Sequence, residues 1–197
     1  MKKLHLFIDA LFTLAEEKPV AKISVEELCN KVGVKRQTFY YHFNDMSDLI
    51  NTILVDVSEH REDKDGDFTA DARYVADIFA ANTGAIKNLL SSPYAIDVTN
   101  FLHDYLSTRS LARLSSSPKY KKMPSEQLES VSRIVASILV SEFSYWIKTG
   151  LQEDKEHLIT RFTVMLRNVE KMMVENALRG SLNKNRPSEN DEATDKH

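Results

Sequence analysis

The chain has 197 residues, 42% hydrophobic and 28% charged, with a formal net charge of −3. That length allows one or two domains with a sizeable core, and the composition excludes a disordered or membrane-embedded polypeptide. The slight acidic balance excludes indiscriminate nucleic-acid binding through the whole surface. His5, Asp9, Glu16 and Glu17 interrupt the start of the chain, so no signal peptide is expected. No apolar run approaches the ~18 residues needed to span a bilayer, which predicts a cytoplasmic protein with no membrane partner. The single cysteine, Cys29, allows no intramolecular disulfide and reads as a small core residue.

Lys3 to Glu17 reads as the first helix. Leu4, Phe7, Ile8, Leu11, Phe12 and Ala15 recur at the spacing of one buried stripe, and Pro19 breaks it. Ser24 with Glu27 three residues on is a capping box, which starts a helix at Val25. Val25, Leu28, Cys29 and Val32 give its inner face. Gly33 can adopt the positive φ that ends a helix, and Val34 plugs the turn. A second short helix follows from about Arg36 to Phe43. Two short helices joined by a Gly-containing turn predict a helix-turn-helix over about 24–43, whose second helix lies in the DNA major groove.

On that second helix Phe39 and Phe43 are four residues apart and share a face, so they anchor it to the core. The same rotation turns Arg36 with Tyr40, and Gln37 with Tyr41, toward solvent. Arg36 and Gln37 lie in the first turn, where arginine matches the acceptor pair of guanine and glutamine matches adenine. Tyr40 and His42 carry polar tips suited to phosphate oxygens, and Lys35 adds charge at the helix start. The first fifty residues as a whole are balanced: Lys2, Lys3, Lys18, Lys22, Lys31, Lys35 and Arg36 face Asp9, Glu16, Glu17, Glu26, Glu27, Asp45 and Asp48. Positive charge must therefore be local to the recognition-helix side.

Asp45 with Asp48 caps a fourth helix from about Met46 to His60, with Leu49, Ile50, Ile53, Leu54 and Val57 buried. The charged stretch from Glu59 to Asp67 divides these four helices from the C-terminal ones. One helix is expected from Asp71 to Leu90. Ser91-Ser92-Pro93 ends it, with Pro93 at the first position of the next helix, Tyr94 to Leu114. Ser115 to Pro124 is a loop whose Lys119, Lys121 and Lys122 read as solvated. Ser125 is expected to cap a helix from Glu126 to Thr149, stopped by Gly150. A last helix should run from Asp154 to Leu178 and end at Gly180. Both long helices are apolar over more than one stripe, so each needs two partners. One face can pack within the subunit, and the other is left for a second copy, making a four-helix bundle between subunits; the alternative is a monomer with both helices buried in a larger core. Residues 181–197 are polar and acidic and are expected to be disordered.

These features together carry a resemblance. Residues 4–50 resemble the DNA-binding domain of the TetR family of bacterial regulators. The pattern I-x-V-x-E-L-x-x-x-x-G-V, then T-x-Y-x-H-F, is matched by Ile23, Val25, Glu27, Leu28, Gly33, Val34, Thr38, Tyr40, His42 and Phe43. Lys35 stands where the family commonly has a helix-capping Ser, and Met46 where it often has a Lys. The resemblance implies an all-α fold: residues 1–45 as a three-helix DNA-binding head, and 46–180 as a helical ligand-binding and dimerisation domain. It implies DNA contacts from Lys35, Arg36, Gln37, Thr38, Tyr40, Tyr41 and His42. It further implies a homodimer formed through about 126–149 and 154–178, reading a palindromic double-stranded operator, commonly as a repressor. An unknown small-molecule effector would enter the C-terminal domain. Candidate lining residues are His103, Tyr105, Tyr145 and Trp146, which offer polar tips on aromatic bodies. The ending Tyr145-Trp146-Ile147-x-x-Gly150 resembles the branch that includes regulators of dihydroxyacetone kinase operons, some of which activate.

No Gly-rich phosphate loop, metal-spaced His/Cys cluster or nucleophile elbow is present in the sequence, so no enzyme, cofactor or metal is expected. The competing reading is a helical interaction protein or activator of the same fold, with weak DNA binding of its own and a partner regulator.

Overall fold

The computed structural model describes residues 2–59 and 67–184, and among these there is no β-strand. The chain opens with α1 (Lys2–Glu17) and a 3-10 turn (Val20–Lys22), followed by α2 (Val25–Val32), α3 (Arg36–His42) and α4 (Met46–Glu59). Local chemistry sets each boundary. Ser24 Oγ accepts from the backbone N–H of Glu27 at 3.1 Å, the first half of a capping box. Gly33 sits at φ 78°, ψ 33°, and the Val34 N–H reaches back to the Cys29 carbonyl at 2.9 Å. Asp45 Oδ1 accepts from the Asp48 N–H at 2.9 Å, while Asp48 Oδ2 accepts from the Asn44 N–H at 2.8 Å, so the start of α4 is held from both sides.

The apolar stripes of these helices meet in one cluster around Phe7, Leu11, Leu28, Phe39, Phe43, Leu49 and Ile50. Met46 is buried in it, so the position where family members often carry a cation serves the core instead. Each such large side chain contributes roughly 1.5–3 kcal/mol by leaving water. The cluster does not stop at α4: Ala85 and Val98, from helices further along the chain, belong to it.

After the undescribed residues 60–66, on which the end of the predicted fourth helix at His60 falls, come α5 (Phe68–Ala81) and α6 (Thr83–Leu90). The predicted single helix from Asp71 to Leu90 is therefore two helices, broken at Asn82 (φ −129°, ψ 39°). The reason lies in the side chains at the break. Asn82 Nδ2 donates to the Ile78 carbonyl at 2.9 Å and Thr83 Oγ1 donates to the Ala80 carbonyl at 3.1 Å, occupying acceptors that a continuing helix would use.

The remaining helices are α7 (Ala95–Ser116), α8 (Ser125–Lys148) and α9 (Lys155–Lys184), with a 3-10 turn at Pro118–Tyr120. Pro93 lies in the turn before α7 and not at its first position; Ser92 Oγ accepts from the Tyr94 N–H there at 3.2 Å. Pro124, not Ser125, precedes the first turn of α8, without a side-chain cap. Gly150 (φ 73°) and Leu151 (φ 58°) reverse the chain after α8, and Trp146 Nε1 fastens the turn by donating to the Glu153 carbonyl at 2.8 Å. The last helix does not end at Gly180 but runs through it to Lys184. An interior glycine costs only about 1 kcal/mol relative to alanine and need not stop a helix. The expected disorder of 181–197 thus fails for its first residues, and 185–197 lie outside the described residues.

In the bundle α7 packs along α8, α9 lies against α5 and α8, and α6 lies on α1. Two further clusters form here, one around Phe79, Phe143, Trp146, Leu158 and Phe162, the other around Leu114, Leu128, Val131 and Val174. Asp71, buried on α5, is held by Arg109 and Arg113 of α7.

Candidate nucleic-acid interface

The geometry of α3 follows from two phenylalanines. Phe39 (0% exposed) and Phe43 (5%) both meet the Phe7 ring edge-on, with centroids 5.7 and 5.5 Å away. Pinned there, α3 turns its other side outward. Lys35, Arg36, Gln37, Tyr40, Tyr41 and His42 are exposed, Tyr41 by 83% and Tyr40 by 52%, while Thr38 is half-buried. Six of the seven predicted DNA-contact residues therefore lie on α3, with Lys35 immediately before it, and all but Thr38 are exposed.

Within that face Arg36 is pre-positioned. Its Nη2 donates to the Tyr40 hydroxyl at 3.4 Å, and its guanidinium lies 6.0 Å from the Tyr40 ring centroid. The Tyr40 hydroxyl, and to a lesser degree Glu26, hold Arg36 all the more firmly charged. Tyr41 and His42 meet edge-on at 5.0 Å. Lys35 precedes α3 in extended backbone and forms no side-chain cap, in keeping with the loss of the capping Ser. Cys29, behind this face, is buried, and burial pushes its thiol up.

A second feature lies between the head and the bundle. An apolar cavity of about 80 Å³ is walled by α1 (Leu11, Ala15), α4 (Ile53, Val57) and α5–α7 (Ile78, Leu102 among them). Of the four predicted effector residues, Tyr105 lines it. Trp146 is 3% exposed within the bundle core, and Tyr145 is 65% exposed on α8. His103 Nε2 lies 3.1 Å from Ser137 Oγ.

The ties across this seam have no counterpart in the sequence analysis. Glu16 Oε1 accepts from the Ala85 N–H at 3.0 Å, capping α6 from α1, and Asn88 Nδ2 donates to the Ala15 carbonyl at 2.7 Å. Ser47 Oγ donates to Asp97 Oδ2 at 2.9 Å, and the Tyr74 hydroxyl donates to the Val57 carbonyl. Gly84 was the available signal: a Cβ there would lie 2.0 Å from Glu16 Oε2, so only glycine lets the carboxylate approach in this pose.

An all-helical chain with a pinned, outward-facing second helix of this kind is a helix-turn-helix DNA-binding module. Residues 7–53 match the family described as "Bacterial regulatory proteins, tetR family", and residues 72–168 match a "Transcriptional regulator C-terminal region". The chain belongs to the TetR family of DNA-binding transcription regulators. Among curated proteins no sequence matches it. Among solved structures it is similar to the dihydroxyacetone kinase operon activator DhaS, with 15% identity over 86% of this chain and 97% of that one, at a TM-score of 0.67. It is similar also to a tetR-family transcriptional regulator from Streptomyces coelicolor (17% identity, 90% and 89% covered, TM-score 0.56). A third is NalD, the secondary repressor of the MexAB-OprM multidrug efflux pump in Pseudomonas aeruginosa (18% identity, 82% and 95% covered, TM-score 0.57). At these identities the likeness is one of fold. Among the described residues no helix is long and apolar enough to cross a membrane.

Proposed function

We propose that this chain is a cytoplasmic, homodimeric regulator that represses transcription from a palindromic operator and is switched by a small molecule. The observation that carries the reading is the open face of α3, where Arg36, Gln37, Tyr40 and Tyr41 stand outward because Phe39 and Phe43 are buried. In this reading Arg36 and Gln37 contact base edges, while Lys35, Thr38, Tyr40, Tyr41 and His42 contact phosphates and fix register. The head is residues 1–45 and the regulatory domain 46–180. No catalytic role is assigned. The dimer forms through α8 and α9, whose outer faces carry exposed Ile134, Tyr145, Val164, Met165 and Met172. Repression is the commoner mode of the family.

A second reading has its own support. The head carries little net charge, Met46 is buried, and one structural relative is named an operon activator. In that reading the chain activates through a partner regulator and binds DNA weakly by itself. Selection of bound DNA from a random pool separates the two. Enrichment of a two-fold symmetric site, with affinity falling by roughly 0.9 log units per phosphate for each log unit of salt, supports the operator reading. No enriched sequence at any salt overturns it in favour of the partner-dependent one.

A further inference from the structure

The cavity at the head–bundle seam has a chemistry that selects its occupant. We propose that the effector is an uncharged, compact, apolar molecule of about benzene size or larger, bound between α1/α4 and α5–α7, which weakens DNA binding by wedging the head from the bundle. This rests on the reading of the chain as a ligand-switched regulator.

Among the described residues none with a formal charge lines the space, and the polar side chains there are Ser58, Tyr74 and Tyr105. Tyr74 already donates to the Val57 carbonyl, and Tyr105 stacks on Phe101 with centroids 6.3 Å apart. A carboxylate or ammonium entering here would shed its water and meet no counterion among the described lining residues, which disfavours charged ligands. Size then decides the consequence. The space measures about 80 Å³, whereas an apolar protein cavity that takes up benzene measures about 150 Å³. An occupant of that size must push the walls apart. The walls belong to different bodies, since Leu11 and Ala15 come from the head, Ile53 and Val57 from α4, which joins the head to the bundle, and the opposite side from α5–α7. Expansion therefore strains the ties from Ala85 to Glu16, Asn88 to Ala15 and Ser47 to Asp97. The occupant thus favours a different head orientation, and only such a difference in affinity between two states can shift their populations.

The test uses the full chain with toluene and, as the charged analogue of similar size, benzoate. Toluene should raise the midpoint of thermal unfolding by a few degrees at saturating concentration, and benzoate should not. Val57→Phe, which places a larger side chain in the cavity from a half-buried position, should abolish the toluene shift; Ala85→Leu is the second filling variant should the first fold poorly. Toluene should weaken binding to the DNA selected from the random pool at least tenfold in the wild type and leave the filled variant unaffected. No toluene shift, an equal shift with benzoate, or a shift that survives both filling variants would overturn the site. A toluene shift with unchanged DNA affinity would overturn the wedge. If no DNA sequence is selected, the regulator reading fails, while the toluene shift still decides the site.

Discussion

Arg36 gains its value from what it leans on. Its guanidinium rests against Tyr40 before any DNA arrives, so part of the ordering cost of a long side chain is met in the free protein. Replacing it with alanine should reduce discrimination at one base pair about 10- to 100-fold, and Tyr40→Phe should weaken all sites alike. Titrations against the selected operator and its single-base variants measure both. Unchanged selectivity for Arg36→Ala would remove the base contact. A different residue sets a pH dependence. Glu153 accepts from Arg161 at 2.8 Å, and that bond holds its carboxyl below the ordinary glutamate value despite an opposing contribution from burial. A lowered carboxyl stabilises the fold above its unfolded pKa, about 4.3, and that share is lost as pH falls through the lower folded value. Chemical denaturation of wild type and Glu153→Gln should therefore give a stability difference that shrinks as pH falls below about 4. A difference that grows in acid would reverse the assignment.

At the scale of elements, α2 and α3 form by local rules, whereas α6 depends on α1. Gly84 sits where α6 begins, and Glu16 supplies the cap that the α6 sequence lacks. Gly84→Ala gains up to about 1 kcal/mol of helix propensity but forces the Glu16 carboxylate away, losing a charge-assisted bond of similar or greater size. The expected net change is a destabilisation of about 1 kcal/mol or less. Glu16→Ala should cost less in the Gly84→Ala background than in the wild type. A double-mutant cycle by denaturant titration reads this coupling directly. Additive effects would mean that α1 and α6 are not joined through this bond. The break at Asn82 and the Gly84 contact serve one end: they aim α6 at α1, so the bundle touches the head through α1 as well as through α4.

At the scale of the molecule, α8 and α9 pack inward on Phe143, Trp146, Leu158 and Phe162 and leave apolar residues outside. Ile134 and Tyr145 on α8, with Met165 and Met172 on α9, repeat at whole turns on the outer faces and are each 43% to 65% exposed. In the dimeric reading proposed above, these faces are the ones a second copy covers. Met165→Asp combined with Met172→Asp should therefore give a folded monomer in sedimentation velocity and lose affinity for a two-half-site operator far more than for a single half-site. A variant that stays dimeric would place the interface elsewhere.

The reading head was legible in the chain because its determinants are short-range. Ser24 and Glu27 start α2, Gly33 ends it, and the four-residue spacing of Phe39 and Phe43 puts both on one face, so that their burial against Phe7 leaves Arg36 outward. The bundle was legible as long apolar helices, but its joints were not. Asn82 breaks a helix that periodicity alone continues, Gly180 fails to end one, and Tyr105 reaches the cavity while Trp146 does not. The break rests on local bonds of Asn82 and Thr83 that periodicity does not register, whereas the placing of Tyr105 and Trp146 turns on which helices lie side by side. A hydrogen bond from Ala85 to Glu16, or a void shared by α1, α4 and α7, exists only once residues far apart in the chain are brought together by burial of apolar surface, and that pairing leaves no periodic trace along either segment.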